Sequence, residues 1–383
     1  MSAAALPYSR AYRCQCGRPV FFRNTQCVNC GSQLGFDPVS LAVVALRPAA
    51  SPELWAIAGA DRGDLYRFCS NRQSASACNW LIAPPFVAST RIGDGLCVSC
   101  ALTRRMFDVS RRAHQARWRA LETAKRRLVA QLLALRLPLG PHVPGGPGIA
   151  FDLLEPAPNA PVLTGHHGGV VTINAMEADD AYREATRAAM NEPYRTLLGH
   201  FRHEVGHYYW DRLVRDDPVR LAQFRALFGD ERSDYAKALQ RHYQEGPPVR
   251  WQDGFLTSYA STHPWEDWAE TWAHYLHITD TLDTATSFGI DVTRAELEFE
   301  PLDQKYLWNA GMPQATSFLD LLNRWVQLTQ VMNELTRSMG QADVYPFVLP
   351  YRAVSKLHFI HEIVQGHADP APLSPPARRP SPD

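Results

Sequence analysis

The sequence lacks an excess of charge, a long apolar run and a secretory signal. Its 39 lysine and arginine residues balance 39 aspartate and glutamate residues among 383, so net charge favours neither nucleic acid nor a membrane surface as a partner. No segment approaches the ~18 consecutive apolar residues of a membrane-spanning helix. The N terminus has no basic head followed by an apolar stretch. We therefore expect a soluble, cytoplasmic protein without a membrane partner.

Cysteine is absent after residue 100, and the eight cysteines within the first hundred residues predict two structural zinc sites. The first site consists of two close pairs, each followed by a glycine that suits the tight turn of a zinc ribbon: Cys14, Cys16, Cys27 and Cys30. The second consists of Cys69, Cys78, Cys97 and Cys100. Disulfides are the alternative, but zinc suits such pairs better in a protein without a secretory signal. The pattern leaves open whether pairs are exchanged between the two sites.

The segment His203-Glu204-Val205-Gly206-His207 has two imidazoles and a carboxylate in the arrangement of a zinc-hydrolase helix. Residues four apart share a helix face, so His203 and His207 can bind one metal ion. Glu204 can then act as a general base on a water molecule beside that ion. Pro193 suits the start of this helix, and apolar residues at helical spacing follow it. The alternative is a buried helix whose histidines are satisfied by hydrogen bonds.

A catalytic zinc ion needs a third protein ligand, and helix geometry separates the candidates. Asp211 lies on the same face as His203 but ~12 Å along the helix axis from it, which is too far to share an ion. A second helical segment, 264–277, carries Glu266 and Glu270 four residues apart on one face. We predict that Glu266 is the third ligand and that Glu270 orients a ligand histidine.

These residues resemble the active site of the gluzincin metallopeptidases, in which a second helix carries a glutamate ligand and an acid one turn later. The segment Tyr259–Glu270 is similar to the active-site stretch of anthrax lethal factor, where a tyrosine before the glutamate ligand stabilises the oxyanion. The resemblance implies that Tyr259 donates a hydrogen bond to the oxyanion. It also implies that Glu266 binds zinc and that Glu270 supports a ligand.

The chain as a whole resembles a family of bacterial zinc-binding metallopeptidases with an N-terminal zinc ribbon, over roughly residues 12 to 365. The resemblance rests on strings that extend well beyond the zinc motifs: Cys27–Gly31, Cys78–Trp80, Ala124–Leu128, Val162–Gly165, Glu192–Glu204, Arg232–Tyr243, His263–Ile278 and Tyr345–Val348. It implies peptide hydrolysis with one catalytic and two structural zinc ions. It specifies the architecture better than the substrate.

The order of these segments predicts an α+β protein. Residues 1–102 would form a small β region with the zinc ribbon, and residues 103–160 a basic helix and a linker rich in proline and glycine. Residues 161–365 would form a mainly helical, zincin-like peptidase domain, and residues 366–383 a disordered, proline-rich tail. We interpret the basic run as the solvated face of an amphipathic helix, with a nucleic-acid surface as the alternative.

A β-hairpin is predicted between Val162 and Asn174, ahead of the metal-binding helix. Zincin folds pair the extended substrate backbone with an edge strand beside that helix, and we assign this role to Gly169–Asn174. His166 and His167 would lie in the hairpin turn, exposed or at the rim of the cleft.

We therefore predict zinc-dependent hydrolysis of a peptide or protein substrate, with Glu204 as general base and Tyr259 as oxyanion donor. The alternative function is a nucleic-acid- or protein-binding module in which the zincin domain is inert. An autoinhibited protease, whose ribbon or linker covers the cleft, is a third possibility. The sequence does not specify the substrate or the oligomeric state.

Overall fold

The computed structural model describes residues 9–60, 64–83, 95–190, 192 and 195–367. Residues 368–383 of the proline-rich tail lie outside them, so the disorder of the tail stays a prediction. No helix of the described residues is long and apolar enough to cross a membrane. The strands are β1 (Tyr12–Arg13), β2 (Pro19–Val20), β3 (Gln33–Asp37), β4 (Ala42–Pro48), β5 (Trp55–Ile57), β6 (Leu65–Phe68), β7 (Leu81–Ile82), β8 (Thr103–Met106), β9 (Ala150–Leu154), β10 (Gly165–His167) and β11 (Val170–Asn174). The α-helices are α1 (Val98–Ala101), α2 (Arg112–Ala134), α3 (Asp180–Met190), α4 (Leu197–Leu213), α5 (Pro218–Phe228), α6 (Tyr235–Glu245), α7 (Pro264–Ser287), α8 (Ala315–Ser338) and α9 (Tyr351–His367).

The N-terminal region is a small β structure with aromatic side chains at its centre. β1 pairs with β2, and strands β3 to β7 follow one another in a five-stranded antiparallel sheet. Phe36 and Trp80 are buried with their ring centroids 4.6 Å apart. A small β region followed by a mostly helical remainder confirms the predicted α+β class.

A second sheet has four strands in the order β10-β11-β9-β8. β9 lies inside this sheet, parallel to both neighbours, and its Phe151 and Leu153 are fully buried. The prediction of a linker rich in proline and glycine in the later part of residues 103–160 is therefore wrong for Ala150–Leu154. This five-residue segment is mostly apolar, as an interior strand requires. The prolines and glycines on both sides of the segment made it look like part of a linker.

The basic side chains of helix α2 are not all exposed to solvent. Lys125 is fully buried, and its Nζ lies 2.7 Å from Glu122 Oε1. Arg126 is also buried, and its guanidinium donates to the carbonyl oxygen of Ser76 in the N-terminal region at 2.9 Å. The prediction of a solvated face is wrong for these two cations, because Lys125 is buried against Glu122 and Arg126 joins the helix to the N-terminal region.

Helix α4 begins at Leu197, a few residues later than the sequence suggests. The Thr196 hydroxyl accepts a hydrogen bond from the backbone N–H of Gly199 at 3.0 Å, which satisfies one of the free amides at the helix start. Pro193, the predicted start, lies outside the described residues.

Helices α4 and α7 approach each other closely at Gly206. Trp268 Nε1 donates to the carbonyl oxygen of Gly206 at 2.8 Å, and the rings of Trp268 and Trp272 are fully buried beside it. The absence of a side chain at Gly206 allows this approach. It brings the first turn of α7 next to the middle of α4.

A buried ionic cluster joins the segment before the ribbon to three helices. Asp280 of α7 is paired with Arg10, with Arg127 of α2 at 3.0 Å and with Arg202 of α4 at 2.9 Å. Asp280, Arg10 and Arg202 are all buried. The cluster therefore ties the N-terminal segment to the helices that carry the candidate metal ligands.

Candidate metal centres and active-site cleft

Three predicted ligands converge on one point between α4 and α7. His203 Nε2 lies 3.3 Å from His207 Nε2 and 3.0 Å from Glu266 Oε2, and His207 Nε2 lies 3.7 Å from the same oxygen. Ligands ~2.0–2.1 Å from a tetrahedral zinc ion are ~3.3 Å apart, so these spacings fit a shared ion. Asp211, rejected on geometry, instead accepts a hydrogen bond from Arg215 at 2.9 Å.

The hydrogen bonds around these ligands leave their metal-facing atoms available. Glu266 Oε2 is buried and has no hydrogen-bond partner among the described residues. His203 Nδ1 lies 2.6 Å from Glu270 Oε1, and the Thr257 hydroxyl donates to Glu270 Oε2 at 2.7 Å. A proton shared with Glu270 at Nδ1 leaves the lone pair of His203 on Nε2, toward the metal position. The structure thus places Glu270 where it can orient His203.

Glu204 lies beside the ligand pair and is 7% exposed. Burial raises the pKa of its carboxyl group, and the nearby His203 and His207 partly offset this effect. A carboxylate with a raised pKa is a stronger base, as proton transfer from water requires. Glu204 also lines both of the cavities that meet at the ligands.

Tyr259 faces the same point from a short 3-10 turn, Tyr259–Ser261. Its ring centroid lies 6.0 Å from that of His203, and burial raises the pKa of its hydroxyl, which keeps the proton available for donation. The turn is fixed to the metal centre because Thr257 accepts from the Ala260 backbone N–H at 3.0 Å while donating to Glu270.

Sequence reasoning missed one residue at this centre. The hydroxyl of Tyr235, at the start of α6, donates to Glu266 Oε1 at 2.9 Å. Tyr235 is far from either zinc motif along the chain, and no local spacing marks it. Its one signal was its place within Arg232–Tyr243, a string that supports the family resemblance without indicating a role.

Two cavities meet at the candidate centre and share His203, Glu204, Tyr235 and Tyr259. The larger has a volume of about 1920 Å³ and the smaller of about 330 Å³. Residues 162–164 line the larger cavity and residues 165–168 the smaller, with Thr164 at both. One extended segment therefore runs along the cleft past the metal ligands.

The assignment of Gly169–Asn174 as the edge strand is wrong. β11 is paired on both sides, antiparallel to β10 and parallel to β9, so the edge strands of this sheet are β10 and β8, and β10 is the one that lines the smaller cavity. His166 and His167 lie in β10 and not in the turn, which Gly168 and Gly169 form with positive φ angles of 54° and 85°. Both histidines line the smaller cavity.

The eight cysteines are all free thiols and form two groups of four. Cys14, Cys16, Cys27 and Cys30 make the first group, and Cys69, Cys78, Cys97 and Cys100 the second. The sulfur atoms of three pairs, Cys14–Cys30, Cys16–Cys27 and Cys78–Cys97, are 3.5 to 3.8 Å apart. Sulfurs around a tetrahedral ion with Zn–S bonds of ~2.3 Å would be ~3.8 Å apart. No pairs are exchanged between the groups, and the thiols fit structural zinc rather than disulfides.

The chain belongs to the family described as "Putative zinc-binding metallo-peptidase", whose family model matches residues 114–363. A zinc-ribbon domain model matches residues 11–111.

Two relatives, from Mycobacterium bovis and Mycobacterium tuberculosis, are each described as an uncharacterized protein. Each is 42% identical over 357 residues, which is 93% of this chain and 95% of the relative. No solved structure matches the chain. These matches support zinc binding and a metallopeptidase in the broad sense.

Proposed function

We propose that this protein hydrolyses peptide bonds with a zinc ion held by His203, His207 and Glu266, in the manner of the gluzincins. The observation that carries the proposal is the convergence of two imidazole nitrogens, from His203 and His207, on the buried Oε2 of Glu266, with Glu204 beside them. A zinc ion bound there would lower the pKa of a water molecule and polarise the scissile carbonyl group.

Three residues of the chain would carry out the remaining catalytic roles. Glu204 takes a proton from the attacking water and passes it to the leaving amine. Tyr259 donates a hydrogen bond to the carbonyl oxygen as negative charge develops on it, an interaction strongest in the transition state. Glu270 holds the imidazole of His203 in one orientation throughout.

The free edge of β10 would bind the substrate backbone by strand addition. Because residues 162–168 run from the larger cavity toward the smaller, a substrate antiparallel to them runs the opposite way. The substrate residues after the scissile bond would then lie in the larger cavity. Such pairing favours an unfolded or extended polypeptide over a folded protein surface.

The arrangement of the cleft argues against autoinhibition by the ribbon. The described residues that line the two cavities come from positions 162 to 352, and none comes from the zinc-ribbon region. The burial of Lys125 and Arg126 also weakens the case for α2 as a nucleic-acid surface. A catalytic role is therefore the proposal that the described residues support best.

The test is a comparison of the wild-type chain with Glu204→Gln on a mixed peptide library, with products identified by mass spectrometry. The wild-type protein should produce cleavage products that disappear on chelation, whereas the variant should keep its zinc and lose turnover. A matched control is Glu245→Gln, at the exposed end of α6, which should cleave like wild type. Full activity of the Glu204→Gln protein would contradict the proposal.

A further inference from the structure

The two oxygens of Glu266 have different environments. Oε2 faces the two ligand imidazoles, whereas Oε1 accepts a hydrogen bond from the Tyr235 hydroxyl at 2.9 Å. The carboxylate is only 2% exposed, so solvent does not replace a lost partner easily. A hydrogen bond to a buried, charged acceptor is among the stronger ones in proteins.

Tyr235 is held in place by contacts between the starts of α6 and α7. Asp234 caps α6 by accepting from the backbone N–H of Lys237 at 3.1 Å. The ring of His263, the residue that caps α7, lies 5.2 Å from the ring of Tyr235, and its Nε2 contacts the carbonyl oxygen of Ser233 at 3.1 Å. The helix that carries Glu266 and the helix that carries Tyr235 are thus joined at their first turns.

We propose that Tyr235 is a positioning residue that restricts Glu266 to binding zinc through Oε2 alone. A carboxylate with both oxygens available can bind a metal through both, and the second oxygen would occupy the position that water or substrate needs. The hydrogen bond from Tyr235 keeps Oε1 away from the metal and leaves that position open. The inference rests on the proposed zinc site.

Tyr235 also lies near the predicted oxyanion donor, because Tyr235 and Tyr259 both line the two cavities that meet at the candidate metal ligands.

The experiment compares the wild-type holoprotein with Tyr235→Phe. Bound zinc is counted by mass spectrometry during titration with a competing chelator, and the ribbon ions serve as an internal control for folding. The variant should lose the catalytic ion at a roughly 10- to 100-fold lower concentration of the competing chelator. This is the usual loss of metal affinity when a group that supports a metal ligand is removed. Its ribbon ions should leave as in wild type.

Two controls isolate the hydrogen bond to Glu266. Tyr243→Phe removes a hydroxyl from the same helix, and Tyr243 has no hydrogen bond to Glu266, so its metal affinity should match wild type. Tyr259→Phe should lower turnover while retaining the catalytic ion. With cobalt in place of zinc, Tyr235→Phe should change the visible absorption of the ion at His203, because a second oxygen from Glu266 raises the coordination number.

An unchanged affinity and cobalt spectrum in Tyr235→Phe would overturn the inference. Loss of the ribbon ions together with the catalytic ion would also overturn it, since Tyr235 would then be required for folding. The metal measurements do not depend on peptide hydrolysis. If the wild-type protein binds zinc but cleaves no peptide, the proposed function fails while the role of Tyr235 is still decided.

Discussion

Gly206 of α4 faces Ala269 of α7 so closely that a Cβ atom at position 206 would lie 3.0 Å from the Cα of Ala269 and 3.2 Å from the Cβ of Trp272. Neither neighbour is the end of a flexible side chain, so the helices themselves would have to separate. This contact sets the distance between the helix with the two histidines and the helix with Glu266. The glycine of the His203–His207 motif is therefore a packing residue.

We expect Gly206→Ala to lower the free energy of unfolding by ~1–3 kcal/mol through overpacking, and to weaken binding of the catalytic ion. Denaturant unfolding and the chelator titration measure the two effects. Gly366→Ala is the matched control, because a Cβ there meets no atom within 4 Å and the residue lies in helix α9. That variant should be as stable as wild type or slightly more stable.

Metal analysis should return three zinc ions for the purified protein, two on thiolates and one on His203, His207 and Glu266. Glu266→Ala should lower the count to two, because no other carboxylate oxygen of the described residues joins the two imidazoles. Asp211→Ala should retain three ions, since Asp211 is paired with Arg215 instead. Three ions in the Glu266→Ala protein would show that another group, with Glu270 the first to examine, completes the site.

The Asp280 cluster should make stability depend on pH in the acid range. Burial alone would raise the pKa of Asp280, but Arg10, Arg202 and Arg127 outweigh it and hold the pKa below its usual value. A depressed pKa in the folded state means that stability is complete above the unfolded value of ~3.9 and is lost as the pH falls below it.

Asp280→Asn should accordingly lower the free energy of unfolding by ~3–5 kcal/mol at neutral pH, because buried arginines lose their charged partner. It should also reduce the dependence of stability on pH in the acid range. Unfolding by denaturant at a series of pH values measures both effects. Asp253→Asn, which removes an exposed ion pair with Arg250, should change stability by less than ~1 kcal/mol. Equal effects of the two substitutions would contradict this account.

Two buried histidines of α9 should lower stability at mildly acidic pH. Burial lowers the pKa of His358 to about 4 and that of His361 to about 3. Each histidine binds a proton in the unfolded chain below pH ~6.5 but stays neutral in the folded chain, so stability falls from that pH toward the folded pKa. His358→Phe should reduce this fall by ~1–3 kcal/mol between pH 6.5 and 4. A variant with the same pH dependence as wild type would exclude the explanation.

The candidate site was predictable where its residues are close along the chain. His203, Glu204 and His207 follow from the spacing of one helix, and Glu266 and Glu270 from that of another. The structure brings all five together, with Tyr259 beside them. Tyr235 was not predictable, because its contact with Glu266 joins two separate helices and leaves no local pattern.

The same limit explains the errors in the fold. The alternation around Val170–Asn174 indicated a strand but not its neighbours, so the edge position was assigned to β11 when β10 holds it. The charge of α2 indicated a solvated face, because a sequence does not show that Arg126 will meet the carbonyl oxygen of Ser76, a residue far away along the chain. Strand order and buried ion pairs depend on which segments meet, and that depends on the packing of the whole chain.

The sequence by itself determined the types of the candidate ligands, their helical spacing, the close cysteine pairs and the α+β class. The ligand spacing depends on local geometry, because residues four positions apart lie on the same face of an α-helix. The tertiary structure decided which cysteine pairs share an ion, which strand edge borders the cleft, and that Tyr235 holds Glu266. Each of these is a contact between segments that lie far apart along the chain, so it depends on tertiary packing, of which the approach of α4 and α7 at Gly206 is one example.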